Sequence, residues 1–509
     1  MLRRLNSGRK TLVKHRTSTP GRRQKSGEEI SEFFYPHLSF SRALSRDPGR
    51  VPFSGLSFSG TSIFSSTSSN LNSHGSLNIQ KIGFNELRSN IRTFSSLTPD
   101  SPITPSTRAD SGDQSSRSML QDKLREYATL SPVPISIAQF LERGGRGKIS
   151  EEDSYTHLVE EVLVRLAHLI SELQHLPQEL KEEEDYKYLV EDYILTFSQI
   201  IKFENTAPDT DTLRKWTEVL KTSKQRHRDV VPTMAAACMK MKNKFGINLE
   251  GEECALTRTV QYVLDRLYMS RISLNMLTDQ HLIIYGHKST IENQIGVIHP
   301  NTDIESVVLH AYQNALYLCE QCYLAGPGVE VKSQNTTCPD TKVTLTQVPS
   351  HIYHIVFEIM KNAMQATMLK HEKDEGSVIP PIKVLICQSD RDITIRVSDL
   401  GGGIDRNAQE KMFKYLYTTS PRASITGEIV PLSGLGYGLP LARLYARYFQ
   451  GDVRAASYEG YGTDVYIYLN ALAGEAVEML PVWSPTASDK MRARSSPVSD
   501  WTGKSTRIR

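Results

Sequence analysis

Four short blocks follow one another between residues 358 and 464, and their order constrains the fold more than any block does alone. The first is Glu358-Ile-Met-Lys-Asn362 and the second is Asp399-Leu-Gly-Gly-Gly403. The third is Gly434-Leu-Gly-Tyr-Gly-Leu439, and the fourth is Gly460-Tyr-Gly-Thr-Asp464. A lone glycine triplet occurs in many turns. A helix that carries an acid and an amide, followed by three glycine turns, predicts a single nucleotide site.

The first block places polar groups on one side of a helix. His354, Glu358 and Asn362 are spaced at i, i+4 and i+8, so they share a face. A carboxylate at the rim of a phosphate pocket can orient or deprotonate a hydroxyl nucleophile. An amide oxygen is a hard ligand suited to Mg²⁺, which bridges phosphates. Lys361 can neutralise phosphate charge. A solvated polar helix face is the alternative for any one of these residues alone.

The second and fourth blocks follow or begin predicted strands. Asp399 comes after the alternating strand Ile393–Val397, before a turn that favours glycine. Its carboxylate can accept the adenine amino group, and Gly401 and Gly403 allow the base to approach closely. Thr463 begins the last strand, where its hydroxyl can reach a buried water near the adenine.

The third block is a phosphate-binding loop of a particular kind. Gly434, Gly436 and Gly438 precede a predicted helix, and backbone N–H groups at a helix N-terminus bind phosphate. No Gly-Lys-Ser/Thr follows, so the loop is not a Walker A motif. No His-Arg-Asp or Asp-Phe-Gly block follows either, which excludes a protein-kinase glycine loop.

The charge of the chain is unevenly distributed. The 509 residues have a net charge of +3, yet residues 1–94 hold 15 Lys and Arg against 5 Asp and Glu. The remainder is therefore mildly acidic, which argues against a nucleic-acid partner. No run of 18 or more apolar residues occurs, so we expect no transmembrane segment. A chain of this length has room for two or three domains.

The amino-terminal segment has the composition of an import signal. Residues 1–27 contain no acid, and a Ser-rich stretch follows. Arg92-Thr-Phe-Ser95 resembles a matrix-processing site, so we predict a mitochondrial transit peptide over 1–94 and a linker over 95–125. A disordered basic tail is the alternative.

The rest of the chain changes pattern near residue 300. Helical periodicity covers about 158–170, 186–204, 210–244 and 252–285, which predicts a helical bundle over 126–300. Over 301–475, short alternating runs intervene between helices at about 303–324, 351–370 and 439–449. The predicted strands are Val343–Val348, Ile382–Cys387, Ile393–Val397 and Val465–Leu469. This mixture predicts an α/β layer with a largely antiparallel sheet. A Pro- and Ser-rich tail fills 476–509.

One cysteine pair has the spacing of a metal site. Cys319-Glu-Gln-Cys322 lacks a second Cys or His pair, and its surroundings form one apolar helix face. We expect structural thiols in a reducing compartment.

The four blocks resemble the N box and the three glycine boxes of the ATPase superfamily that includes histidine kinases and type II topoisomerases (GHKL). A longer match, over about residues 130–502, resembles the mitochondrial 2-oxoacid dehydrogenase kinases. It includes Ser350–Asn362, Leu444–Asp452, His227–Met234 and Leu264–Ser273. The resemblance implies an α + α/β protein: an N-terminal four-helix bundle followed by a histidine-kinase-like ATPase α/β sandwich.

Within that family the pyruvate dehydrogenase kinases match better than the branched-chain enzyme. Ser499-Asp-Trp501 resembles their Asp-Trp crossover motif, and a chance dipeptide in a disordered tail is the alternative. The resemblance implies that Asp500 and Trp501 reach into the partner subunit of a homodimer. There they would support binding of the lipoyl domain of the E2 acetyltransferase core.

The resemblance also implies roles at the nucleotide site. Glu358 would be the general base for a serine hydroxyl of the E1 alpha subunit, His354 would tune it, and Asn362 would bind Mg²⁺. His354 is not expected to be phosphorylated, since the family phosphorylates serine directly. The residues expected to hold ATP are Glu358, Lys361, Asn362, Gln365, Asp399, Gly401, Gly403, Thr418, Thr419, Gly434, Leu435, Gly436, Tyr437, Gly438, Leu439 and Thr463.

The chain departs from the family pattern at two places. Gln365 stands where arginine is usual, and losing that cation is expected to lower ATP affinity or disturb phosphate positioning. The inhibitory 2-oxoacid pocket also differs, because Lys224 and Asn275 replace arginines. We therefore expect weaker inhibition by pyruvate or dichloroacetate than in relatives with both arginines. The pocket maps to Leu166, Tyr193, Lys224, His227, Ser270, Arg271 and Asn275.

Three alternatives to a pyruvate dehydrogenase kinase remain at this point. One is a kinase of the branched-chain complex. Another is a weakly active scaffold that binds ATP and a lipoyl domain, suggested by Gln365 but opposed by the intact Glu358 and Asn362. The third is a two-component histidine kinase, although no acceptor-histidine box or receiver domain is visible.

Overall fold

A computed structural model describes residues 111–145, 149–246, 255–286, 293–371, 378–419 and 436–484. The predicted transit peptide, Gly434, Leu435, Asp500 and Trp501 lie outside the described residues.

The first half of the described chain is helical. Its helices are α1 (Ser111–Thr129), α2 (Ile137–Gly144), α3 (Glu151–Leu173), α4 (Gln178–Lys181), α5 (Glu184–Ile200), α6 (Thr210–Arg226), α7 (Val230–Phe245) and α8 (Ala255–His281). A 3₁₀ turn (Ile201–Phe203) follows α5, and a π turn (Leu282–Gly286) follows α8. Helix α1 extends the helical region to Ser111, ahead of the predicted domain start at 126.

Helix α3 is the centre of this region. Ser150 caps it by accepting a hydrogen bond from the N–H of Asp153 at 3.1 Å. Nearly every residue from Leu158 to Leu173 is buried, because α1, α5 and α8 all pack against α3. Trp216 of α6 is fully buried against Tyr155 of α3, with ring centroids 5.6 Å apart.

The single helix predicted over 210–244 is wrong. The chain leaves helical geometry at His227 (φ −85°, ψ 11°) and resumes it at Val230. Tertiary contacts explain the break, since Nε2 of His227 lies 3.0 Å from Oγ1 of Thr196. The neighbouring carbonyl of Arg228 accepts a hydrogen bond from Arg271 at 3.3 Å. Neither contact leaves a signal in helical periodicity.

The second half combines helices with a sheet. Helices α9 (Ile304–Tyr323), α10 (Pro349–His371), α11 (Arg406–Gln409) and α12 (Gly438–Tyr448) alternate with strands. The strands are β1 (His299–Asp303), β2 (Val329–Asn335), β3 (Thr344–Gln347), β4 (Ile382–Gln388), β5 (Asp392–Ser398), β6 (Asp452–Tyr458) and β7 (Gly462–Asn470). Strands β1, β2 and β6 were not predicted.

The main sheet has the order β2-β4-β5-β7-β6, and only the β2–β4 pairing is parallel. The prediction of a largely antiparallel sheet is therefore confirmed. Strands β1 and β3 form a separate antiparallel pair. Alternate side chains of β4, β5 and β7 are buried, and α10 packs between α9 and α12. Asp399 and Thr463 consequently lie at one end of two paired central strands.

The helical region and the sheet region share contacts. Helix α8 packs against α12. Glu478, which is fully buried, pairs with Arg165 of α3 at 2.8 Å and accepts a hydrogen bond from Tyr448 of α12. This ion pair fixes the chain beyond β7 to both regions.

The described cysteines are free thiols. Cys319 is buried, and burial raises its pKa to about 11, as expected for a structural thiol. Within the described residues no group of three His, Cys, Asp or Glu side chains is placed to hold a metal ion. No described helix is long and apolar enough to cross a membrane.

Candidate nucleotide site

Helix α10 presents the predicted acid and amide towards the other blocks. The carboxylate of Glu358 pairs with Nζ of Lys361 at 2.8 Å, and each side chain is 14% exposed. The same ammonium lies 4.9 Å from the ring centroid of Phe357. Asn362 is partly exposed on the next turn. The predicted base thus keeps a small exposed area and already faces a cation.

The start of α12 lies directly against this base. A Cβ added to Gly438 would lie 2.3 Å from Oε2 of Glu358. Only glycine therefore lets the carboxylate occupy its position beside the first turn of α12. The N–H groups of that turn carry partial positive charge and suit phosphate oxygens.

His354 is buried one turn before Glu358. Its ring centroid lies 4.6 Å from that of Tyr445 in α12. Burial, then the charge of Lys361, then His351 lower the pKa of His354 to about 3. The imidazole is therefore uncharged at neutral pH. An uncharged, buried ring is suited to holding Glu358 in position and not to supplying charge to the reaction.

Asp399 lies at the end of β5, where its carboxylate accepts hydrogen bonds from backbone N–H groups. Its Oδ1 accepts hydrogen bonds from the N–H of Gly401 at 2.8 Å and of Thr463 at 3.3 Å. Burial raises the pKa of Asp399 to about 6, although both backbone donors oppose the rise. Because both donors bind the same oxygen, Oδ2 can accept an amino group. The hydroxyl of Thr463 lies 2.9 Å from that of Ser457, on the same side.

The glycine turn after Asp399 is sterically required. Gly403 has φ of +72°, and a Cβ there would meet the carbonyl oxygen of Tyr458 at 2.1 Å. Gly401 lies against Ala366 of α10, where a Cβ would approach to 2.5 Å. The second block is thereby packed onto the helix that carries the first.

The remaining predicted nucleotide residues are placed unequally. Thr418 is partly exposed and Thr419 exposed, and the nearby N–H of Leu416 donates a hydrogen bond to the carbonyl of Gly436 at 3.2 Å. Leu439 is partly exposed, whereas Gln365 is only 7% exposed. Tyr437 is 3% exposed, so its side chain is not at the surface of the loop.

The arrangement fits a nucleoside triphosphate on grounds of shape and chemistry. Asp399 offers an acceptor for an exocyclic amino group, glycines leave room beside it, and a helix N-terminus lies next to Glu358 and Lys361. Asn362 offers an amide oxygen for a cation that keeps most of its waters and binds phosphate.

The residues predicted for the effector pocket lie on α3, α5, α6 and α8 or, for His227, directly after α6. Leu166, Tyr193, Ser270 and Arg271 are buried. The rings of Tyr193 and His227 are 4.3 Å apart, and burial, followed by the charge of Arg271, lowers the pKa of His227 to about 3.

Sequence reasoning missed an acid in this group. Nζ of Lys224 forms an ion pair with Asp279, and burial raises the pKa of that aspartate. Asn275, one helical turn before Asp279, is partly exposed. The ammonium of Lys224 is therefore already paired. Spacing on α8 alone does not indicate that Asp279 reaches α6.

Comparison with known proteins agrees with this fold and site. Residues 347–472 match the family described as histidine kinase-, DNA gyrase B-, and HSP90-like ATPase, which defines the class of the nucleotide domain. Residues 134–299 match the family described as mitochondrial branched-chain alpha-ketoacid dehydrogenase kinase.

Full-length relatives are more specific. The mitochondrial [pyruvate dehydrogenase (acetyl-transferring)] kinase of Ascaris suum is 39% identical over 75% of this chain and 94% of its own length. The Drosophila melanogaster kinase of the same name is 40% identical over 77% and 94%. Isozyme 3 of Homo sapiens is 39% identical over 76% and 94%. The chain belongs to the family of mitochondrial pyruvate dehydrogenase kinases.

Proposed function

We propose that this protein uses ATP to phosphorylate a serine of the E1 alpha subunit of the mitochondrial pyruvate dehydrogenase complex, and thereby inactivates the complex. The observation that carries the proposal is the position of Glu358, whose partly exposed carboxylate lies beside Lys361 and the first turn of α12. The names of the relatives support the substrate and do not favour the branched-chain alternative.

The proposed chemistry assigns one task to each group. Glu358 accepts the proton of the serine hydroxyl as that oxygen bonds to the terminal phosphorus and the bond between this phosphorus and ADP breaks, so that ADP leaves. Lys361 offsets phosphate charge, and the N–H groups at the start of α12 bind phosphate oxygens. His354, neutral because it is buried, holds the turn of α10 from which Glu358 projects.

The nucleotide would be oriented by its base. Asp399 accepts the adenine amino group through Oδ2, while Gly401 and Thr463 hold Oδ1. Asn362 would hold Mg²⁺, which when bound neutralises charge on the phosphates. Gln365 is neutral, so this site offers one cation fewer to phosphate than relatives with arginine there.

The wider assembly is also a proposal. We infer import into the mitochondrial matrix, docking of the lipoyl domain of E2 on a four-helix bundle formed by the long helices of the first half, and a homodimer. One face of the main sheet carries the partly exposed side chains of β7, which include two tyrosines. This face supports a homodimer. Tyr466 and Tyr468 stack there with ring centroids 6.4 Å apart. Asp500 and Trp501 would extend the contact between subunits.

The effector pocket is proposed to bind 2-oxoacids weakly. A carboxylate entering beside Arg271 would have to compete with Asp279 for Lys224, and Asn275 adds no charge.

A substrate comparison tests the proposal. Purified wild type is incubated with ATP, Mg²⁺ and either the pyruvate or the branched-chain dehydrogenase complex, and loss of dehydrogenase activity is followed. Glu358→Gln is the matched control, because it keeps the size of the side chain and removes the base. We expect wild type to inactivate the pyruvate complex and Glu358→Gln to leave that complex active. Equal inactivation by Glu358→Gln would refute the role of the base, and selective inactivation of the branched-chain complex would refute the substrate.

A further inference from the structure

Tyr437 lies between two glycines of the phosphate loop, yet its side chain is buried in the helical region. Its ring centroid lies 6.0 Å from that of Tyr268 in α8 and 5.3 Å from that of Tyr415. The rings of Tyr268 and Tyr415 are themselves 5.5 Å apart. These three side chains form a closed aromatic group, called here the tyrosine cluster.

Tyr415 is fixed to α8 by hydrogen bonds as well as by ring contact. Its hydroxyl donates to Oδ1 of Asp265 at 2.8 Å. Its N–H donates to Oε1 of Gln261 at 2.8 Å, and its carbonyl accepts from Nε2 of the same residue at 3.1 Å. Two successive turns of α8 therefore hold this one residue.

The cluster connects α8 to the predicted base. Leu416, next to Tyr415, donates its N–H to the carbonyl of Gly436 at 3.2 Å. Tyr437 follows Gly436 and is held by its own ring contacts. The next residue, Gly438, begins α12 and lies against Oε2 of Glu358. A side chain packed against α8 thus comes directly before the glycine that contacts Glu358.

We propose that Tyr437 is a positioning residue for ATP binding and phosphoryl transfer, and that Tyr415, Asp265 and Tyr268 extend the nucleotide site into the helical region. The inference rests on the proposed function, since it assumes that ATP binds at Gly436–Gly438. The side chain of Tyr437 does not contact ATP. It holds the backbone N–H groups that do, and supporting packing of this kind is what keeps a site in its productive geometry.

The cluster is neutral throughout the working pH range. Burial raises the pKa of Tyr268, Tyr415 and Tyr437 well above the ordinary value of 10. Substituting Tyr437 should therefore leave the shape of the pH–rate profile unchanged, unlike substitution of a group that exchanges protons.

The test compares Tyr437→Leu with Tyr186→Leu. Tyr186 is a matched control, because it is also buried, its hydroxyl donates to the carbonyl of Leu173 at 2.9 Å, and it lies in α5. We expect both variants to lose thermal stability. Only Tyr437→Leu should raise the Kd for ATP, by about tenfold, and lower kcat on E1 alpha by ten- to a hundredfold, on the order expected for a misplaced site. Tyr437→Phe, which keeps the ring, should restore ATP binding to within about twofold.

Tyr415→Phe provides a second variant if Tyr437→Leu fails to fold. It removes only the hydrogen bond to Asp265, and it should raise the Kd for ATP by about threefold to tenfold, the cost of one such bond. Unchanged ATP binding and kcat in both cluster variants would overturn the inference. Equal loss of ATP binding in Tyr186→Leu would also overturn it, since the effect would then be general destabilisation. Absence of ATP binding by wild type would instead show that the proposed function fails.

Discussion

Replacing Gly438 by alanine should disable the proposed base without harming the fold. Gly438 begins α12 with backbone geometry that alanine also adopts, so no strain is introduced. In a helix, alanine is favoured over glycine by about 1 kcal/mol. The new Cβ, however, would lie 2.3 Å from Oε2 of Glu358. Because the obstacle is the end of a flexible side chain, the carboxylate moves and the backbone stays.

The size of the effect follows from that distance. An ordinary contact between carbon and oxygen is about 3.3 Å or longer, so the carboxylate oxygen must retreat by about 1 Å. A displacement of about 1 Å at a reacting group can cost about a hundredfold in rate, which corresponds to about 2.7 kcal/mol. The melting temperature should be equal to or above that of wild type.

A double-mutant cycle measures whether the loss acts through Glu358. Initial rates of phosphate transfer to E1 alpha are compared for wild type, Gly438→Ala, Glu358→Gln and the double variant. Since Glu358→Gln already lacks the base, adding Gly438→Ala should change its rate little. Full activity in Gly438→Ala would refute the reasoning, as would equal fold losses from Gly438→Ala in both backgrounds.

Further outcomes are expected at three residues, Asp399, Asp279 and Glu478. ATP affinity of wild type should fall as pH drops below about 6, because a protonated Asp399 no longer accepts hydrogen bonds through both oxygens. Titration calorimetry measures the Kd for ATP against pH, and in Asp399→Asn this pH dependence should vanish. Without ATP, the raised pKa of Asp399 also stabilises the folded protein at low pH. This contribution to the free energy of unfolding is complete below the ordinary pKa of 3.8 and is lost as pH rises through about 6. Asp279→Asn should release Lys224 and strengthen inhibition by dichloroacetate in a kinase assay, whereas an unchanged inhibition constant would show that the ion pair does not control the pocket. Glu478→Ala should lower the free energy of unfolding by about 3 kcal/mol in denaturant titrations, because it breaks one of the two buried ion pairs of Arg165 and keeps the pair with Glu161; a loss below about 1 kcal/mol would contradict this.

Local signals were sufficient to predict most of the helices and strands that carry the candidate nucleotide residues. The i, i+4 spacing of His354 and Glu358, and the strand before Asp399, each depend on residues close in the chain. Helix α10 and strands β4, β5 and β7 are accordingly where the sequence predicted them. Strand β2 was missed because it is an edge strand whose alternation of apolar and polar residues ends at Lys332, and its remaining side chains are polar.

What the sequence did not indicate depends on contacts between distant segments. The break at His227 is explained by Thr196 and Arg271, both far away in the chain. Tyr437 was assigned to the nucleotide because its glycine neighbours are, and only its burial beside Tyr268 separates the role of the side chain from that of the backbone. The pairing of Lys224 with Asp279 likewise requires α6 and α8 to be placed side by side.

Phosphoamino-acid analysis after transfer from labelled ATP tests the central claim most directly. Wild type and Glu358→Gln are each incubated with Mg²⁺, labelled ATP and the purified pyruvate dehydrogenase E1 component. We predict acid-stable phosphoserine on the E1 alpha subunit with wild type, and about a hundredfold less with Glu358→Gln, as for loss of a positioned general base. Acid-labile phosphate on the protein itself, or equal labelling of E1 alpha by both proteins, would contradict the account.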